Sequence, residues 1–121
     1  MPPSAPARKS PLVALREALD LVFAAIALAE KGLEMNPSTD EERVLHDTLN
    51  DLELRRAALQ AKIDALIAQT RTIPGPTAKQ VAEISQLTRE VEAVTDASLT
   101  ASRAVALTSR TLALATEVAA G

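Results

Sequence analysis

The sequence contains no Cys, Trp or Tyr, a single aromatic residue, Phe23, and only three Gly. Without Cys there is no disulfide, no thiolate nucleophile and no cysteine metal site. With one aromatic there is no stacking platform for single-stranded nucleic acid. Globular β and α/β folds draw much of their core volume from aromatic and β-branched side chains. Here Ala and Leu supply that volume, and both are strong helix formers. Gly32, Gly75 and Gly121 leave little punctuation between elements. Charge of one sign is also lacking: Lys and Arg number 13 against 16 Asp and Glu, a net charge of −3. A basic groove for nucleic acid is therefore not expected, nor is strong attraction to anionic lipid. Long apolar runs are missing as well. The longest near the N-terminus, Leu21 to Ala29, has nine residues, too few to span a bilayer.

What is present is helical patterning over most of the 121 residues. Residues 1–10 (MPPSAPARKS) carry three Pro and read as a flexible tail. The remainder, 11–121, reads as a single helical bundle domain. Arg8 and Lys9 before an apolar stretch, with Ala27-Leu28-Ala29 beyond, also outline a signal peptide. Arg16, Glu17 and Asp20 interrupt that core, so an amphipathic helix of the mature protein and a cytoplasmic location are the preferred reading.

The first helix is expected over about 11–34. Ser10-Pro11 is an N-cap followed by Pro at the first helical position. Leu12, Leu15, Leu19, Val22, Ile26 and Ala29 then follow a heptad seam. Gly32 fits the left-handed residue just beyond a helix end, with Leu33 over Leu28. Asn36-Pro37 would otherwise end the helix after Met35.

The second helix is expected over 39–72. Ser38/Glu41 and Thr39/Glu42 both satisfy the capping-box spacing. Leu45, Leu49, Leu52, Leu59, Ile63 and Leu66 continue the seam, with Arg56 in one core slot. An Arg there either specifies register and partner, or snorkels to the surface and pairs with a carboxylate, the preferred reading.

The third helix is expected over 77–119, capped by Thr77 with Gln80. Its seam runs through Ile84, Leu87, Val91 and Val94 into Ser98, Ala101, Val105, Thr108, Leu112 and Ala115. No helix breaker follows until Gly121, giving a helix of roughly 60 Å. Short loops make the architecture an all-α antiparallel three-helix bundle, or long helical hairpin, with coiled-coil-like seams. The short first helix should lie with Leu21 to Ala29 beside the low-charge part of the third.

That low-charge part carries the functional expectation. From Ala97 onward the only charges are Arg103, Arg110 and Glu117, seven apart on one stripe. Leu99, Leu107 and Leu114 fall towards the flank of the seam. Thr88, Thr95, Ser102, Ser109 and Thr116 form a hydroxyl line beside it. Either that line flanks the core, each hydroxyl bonding back to a carbonyl, or it belongs to a second interface. Leu99, Arg103, Leu107, Arg110 and Leu114 are the candidate interface residues. On that reading Leu107→Glu plus Leu114→Glu yields a folded monomer.

No catalytic, cofactor or metal residues are expected. His46, the one histidine, has Glu42 a turn before it and Asn50 a turn after, and reads as a solvated surface residue. Glu90, Glu92, Asp47 and Asp51 read as surface charge. No G-x-S-x-G, Walker, H-E-x-x-H or dinucleotide fingerprint occurs. The expectation is a non-enzymatic helical interaction or assembly protein. Its partner would be a second copy or another helical protein, in the manner of a chaperone or adaptor. The alternative is an amphipathic protein lying on a lipid or granule surface.

Overall fold

The computed structural model describes residues 10–69 and 73–121. These residues form an all-helical bundle of four helices: α1 (Pro11–Leu33), α2 (Thr39–Ala68), α3 (Ala78–Glu92) and α4 (Ala101–Ala120). The tail expected over 1–10 lies outside the described residues except for Ser10, and so does the expected end of the second helix near Thr72.

The starts of the helices follow the capping chemistry. Val13 N–H donates to Ser10 Oγ at 3.2 Å, with Pro11 next in the chain. Ser38 and Glu41 form a reciprocal capping box, with bonds of 3.1 and 2.9 Å. Thr77 and Gln80 repeat it at 3.1 and 3.0 Å. Three acidic residues in the first turn of α2, Asp40, Glu41 and Glu42, face the positive end of its dipole.

Printed contacts fix the topology. Gly32 of α1 meets Leu45 of α2 and Ala104 of α4. Arg56 of α2 lies over Phe23 of α1, so α2 runs back along α1. Gly75, in the connection that follows α2, packs directly on Pro11 at the start of α1. A Cβ at Gly75 would stand 2.9 Å from the Pro11 Cα, so the connection passes there only without a side chain. From that end α3 runs in the same direction as α1, reaching Lys31 of α1 at Asp96 beyond its own C-terminus. Then α4 returns beside α2, with Arg55 bonded to Thr116 and Lys62 to the Val118 carbonyl.

The helices therefore alternate in direction, but they do not surround one axis evenly. α1 and α4 form a central pair. α2 fills the groove on one side of that pair and α3 sits on the other. No contact joins α2 to α3 among the described residues. This arrangement explains the breadth of the α1 core face: eleven of its 23 residues are buried, because three helices cover it.

Two expectations are corrected. Gly32 is not a left-handed cap. It lies inside α1, buried, and the left-handed residue after the helix is Asn36, at φ 49°. Gly32 is needed for space: an added Cβ would fall 2.5 Å from the Ala104 Cβ. The second correction concerns the third helix, which is two helices. The break at 93–100 is made by hydroxyl side chains in place of Gly or Pro. Thr95 N–H donates to Ser98 Oγ at 2.9 Å, Ser98 N–H donates to the Thr95 carbonyl at 3.0 Å, and Thr100 Oγ1 caps α4 by accepting from Arg103 N–H at 3.0 Å. A 23-residue α1 gives an unbroken helix of roughly 60 Å nothing to bury its far half against. Folding α4 back onto α1 and α2 buries that half instead.

Leu45, Leu52, Leu59 and Ile63 of α2 are buried as the seam predicts, and Leu54 is exposed on the outer side. Leu45→Ala is expected to lower unfolding free energy by about 2–5 kcal/mol. Leu54→Ala should change it by less than about 0.5 kcal/mol. Urea denaturation followed by circular dichroism checks both.

Candidate functional site

The features that set this chain apart converge on α4, and each side of that helix faces something different. Towards α1 and α2 it presents Ala101, Ala104, Thr108, Thr111, Ala115 and Val118, all buried. Two of these are hydroxyls in a dry seam. Thr108 Oγ1 donates to the Ala104 carbonyl at 2.6 Å and Thr111 Oγ1 to the Leu107 carbonyl at 2.9 Å, so neither is left unsatisfied. Thr88 and Thr116 bond back in the same way, at 2.7 and 2.8 Å. The hydroxyl line is thus split. Thr88 and Thr116 satisfy themselves on their own helices, Thr95 closes the α3–α4 turn, and Ser102 and Ser109 stand exposed.

The α3 side of α4 holds the residues singled out for an interface. Leu107 and Leu114 are 4% exposed and Leu99, just before α4, is 6% exposed. All three belong to the chain's own core. Their assignment to an external contact is corrected here: they sit off the α1 seam because a further helix, α3, covers them. Arg110 is used within the chain as well. Its Nη1 donates to Glu90 Oε1 at 3.1 Å and its Nη2 lies 3.0 Å from Oε2, a two-pronged pair joining α4 to α3. Glu90, read from sequence as simple surface charge, is therefore a contact residue. With both side chains at least a third exposed, the pair adds alignment more than stability. Arg103 is exposed.

The third side of α4 faces outward. It carries Ser102, Ala106, Ser109, Ala113 and Ala120, all exposed and none charged. The outer side of α2 is different in kind, with Arg43, Asp47, Asp51 and Asp64 exposed. Ala106 and Ala113 were not singled out in the sequence, although their spacing with Ser102 and Ser109 is that of one helix face.

Elsewhere the polar groups are ordinary. Arg56 leaves its core slot, pairs with Glu53 at 2.9 Å and places its guanidinium 5.9 Å from the centre of the Phe23 ring. Phe23 is 49% exposed beneath it. His46 Nε2 lies 3.9 Å from Glu42 Oε1 with both side chains exposed. Among the described residues no three His, Cys, Asp or Glu side chains cluster as metal ligands. An open groove of about 380 Å³ runs between α1 and α3, with Leu21, Ala24 and Val91 on its walls and Glu17, Asp20 and Arg89 among its polar residues. Among the described residues no helix is long and apolar enough to cross a membrane. No protein-family model, curated protein or solved structure matches the chain.

Because Leu107 and Leu114 are core, Leu107→Glu plus Leu114→Glu should unfold the protein and not release a folded monomer. Each buried carboxylate is expected to cost about 3 kcal/mol or more, together the stability of a small domain. Loss of the cooperative thermal transition would show it, and a folded variant of unchanged melting temperature would contradict it.

Proposed function

We propose that the protein is a non-enzymatic assembly module that associates with a second copy of itself through the outer face of α4. The observation that carries this reading is the uncharged exposed strip Ser102, Ala106, Ser109 and Ala113. A helix on the rim of a small bundle ordinarily shows water a charged face, as α2 does. Small side chains let a second helix approach closely, so contact comes from backbone proximity and dispersion, with no large apolar anchor. Arg103, Arg110 and Glu117 run along the α3 edge of the strip, where charges set pairing geometry more than affinity. The setting assumed is the cytoplasm, and a helical adaptor or chaperone role would use the same face. A lipid-surface role finds less support, since laying α1 and α4 in an interface would separate the closest-packed helices of the molecule.

Light scattering after size-exclusion chromatography, over a wide concentration range, tests the proposal. The wild type should form a dimer or larger species. Ala106→Glu plus Ala113→Glu, both at exposed positions, should keep the helical signal and weaken association at least about tenfold, equivalent to about 1.4 kcal/mol. A wild type that stays monomeric throughout, or an assembly untouched by this variant, would refute the face contact.

A further inference from the structure

The connection between α3 and α4 has the composition of a helix. Residues 93–100 read AVTDASLT, with no Gly and no Pro. The heptad seam passes through it without a change of phase, from Ile84, Leu87, Val91 and Val94 to Ser98, Ala101, Val105 and Thr108. Only short-range bonds hold the turn: Ser98 and Leu99 amides donating to the Thr95 carbonyl, the Thr95 and Ser98 side chains bonding each other's amides, and Thr100 capping α4. Thr95, Ser98 and Thr100 are all exposed, so water can replace each of these bonds.

The surroundings of the turn are equally permissive. α3 touches α1 and α4 but not α2 among the described residues, so nothing on α2 locks it. α3 runs towards the end of α1 that carries Lys31 and Gly32, and Lys31 reaches Asp96 at 3.8 Å with both side chains well exposed. If 93–100 becomes helical, α3 and α4 join into one rod and α4 projects past that end of the bundle. The groove it leaves, on α1 and α2, then lies open.

We infer that residues 93–100 are a hinge that lets two copies of this chain exchange α4, each copy's α4 filling the α1/α2 groove of the other. Every contact of α4 with α1, α2 and α3 is kept in the exchanged pair, made between chains instead of within one. The terms that change are local. The hydroxyl-held turn is lost, roughly eight residues gain helical hydrogen bonds, and two chains are brought together. Exchange is therefore a matter of concentration and of the stability of the turn. It is independent of the outer-face contact, because it uses the buried side of α4.

The chain has no Cys, which makes the test direct. Arg55→Cys and Thr116→Cys variants are made separately, mixed, unfolded and refolded together at high concentration, then treated with a short bis-maleimide. Arg55 and Thr116 are neighbours across α2 and α4, so a cross-link between the two variants reports α4 of one copy on α2 of the other. The expected result is a cross-linked heterodimer that persists when both chains also carry Ala106→Glu and Ala113→Glu. It should vanish when both carry Asp96→Pro. Pro suits the second position of the turn, whose bonds come from the Ser98 and Leu99 amides, and it forbids a continuous helix. Thr95→Ala, Ser98→Ala and Thr100→Ala together should increase the dimer fraction by about tenfold, as the turn loses its caps. A cross-link that survives Asp96→Pro, or no cross-link with the natural hinge, overturns the inference. Should Asp96→Pro fail to fold, the triple variant decides: a dimer fraction equal to wild type overturns it.

Discussion

Gly32 and Ala104 meet at the closest approach in this bundle, and the rest of the fold is arranged around it. A methyl group at Gly32 would sit 2.5 Å from that of Ala104, inside any tolerable contact. The same pair of helices carries Ala18, Ala25 and Ala29 on one side and Thr108, Thr111 and Ala115 on the other, all buried. Small residues on both helices allow the pair to close, and the back-bonded hydroxyls allow Thr to serve there without an orphaned donor. Larger side chains are placed to the flanks. The α2 leucines fill one groove of the central pair, while Leu21, Leu28, Leu87, Leu107 and Leu114 are buried on the side that α3 covers. A chain with a single aromatic residue thus builds a core from two kinds of seam, one narrow and one broad.

How far this was legible in the sequence depends on the range of the interaction. Caps are local, and Ser10, Ser38 and Thr77 act as their spacing with Val13, Glu41 and Gln80 implies. The α2 seam was equally plain, because Leu45, Leu52, Leu59 and Ile63 all face one direction, and Arg56 snorkels as a long cation at a core edge does. Gly32 misled because a glycine near a helix end has two meanings, freedom of φ and lack of a side chain. Only the position of Ala104, far along the chain, decides between them. The α3–α4 break misled for a related reason. Thr95, Ser98 and Thr100 can cap a break or sit on a helix surface, and the choice rests on what the distal half finds to bury against. Leu107 and Leu114 looked unmatched only because α3 was counted as part of the same helix.

These corrections change where association should be sought. The leucines are occupied, and Arg110 is committed to Glu90. What α4 has left is a face of Ser and Ala, exposed and uncharged. The helix is therefore central twice, as half of the closest-packed pair inside and as the least polar rim outside. Both proposals put on α4 follow from that double role, one using the outer face and the other the ease with which the whole helix is handed to another copy.

A double-mutant cycle at Gly32 and Ala104 measures the central constraint. Helix propensity alone favours Gly32→Ala by about 1 kcal/mol. Overpacking against Ala104 opposes it by about 1–3 kcal/mol. The account predicts that Gly32→Ala destabilises the natural protein, that it stabilises a protein already carrying Ala104→Gly, and that the coupling between the two sites exceeds about 1 kcal/mol. If Gly32→Ala stabilises both backgrounds equally, α1 and α4 do not meet as described, and the packing scheme built on that contact is wrong.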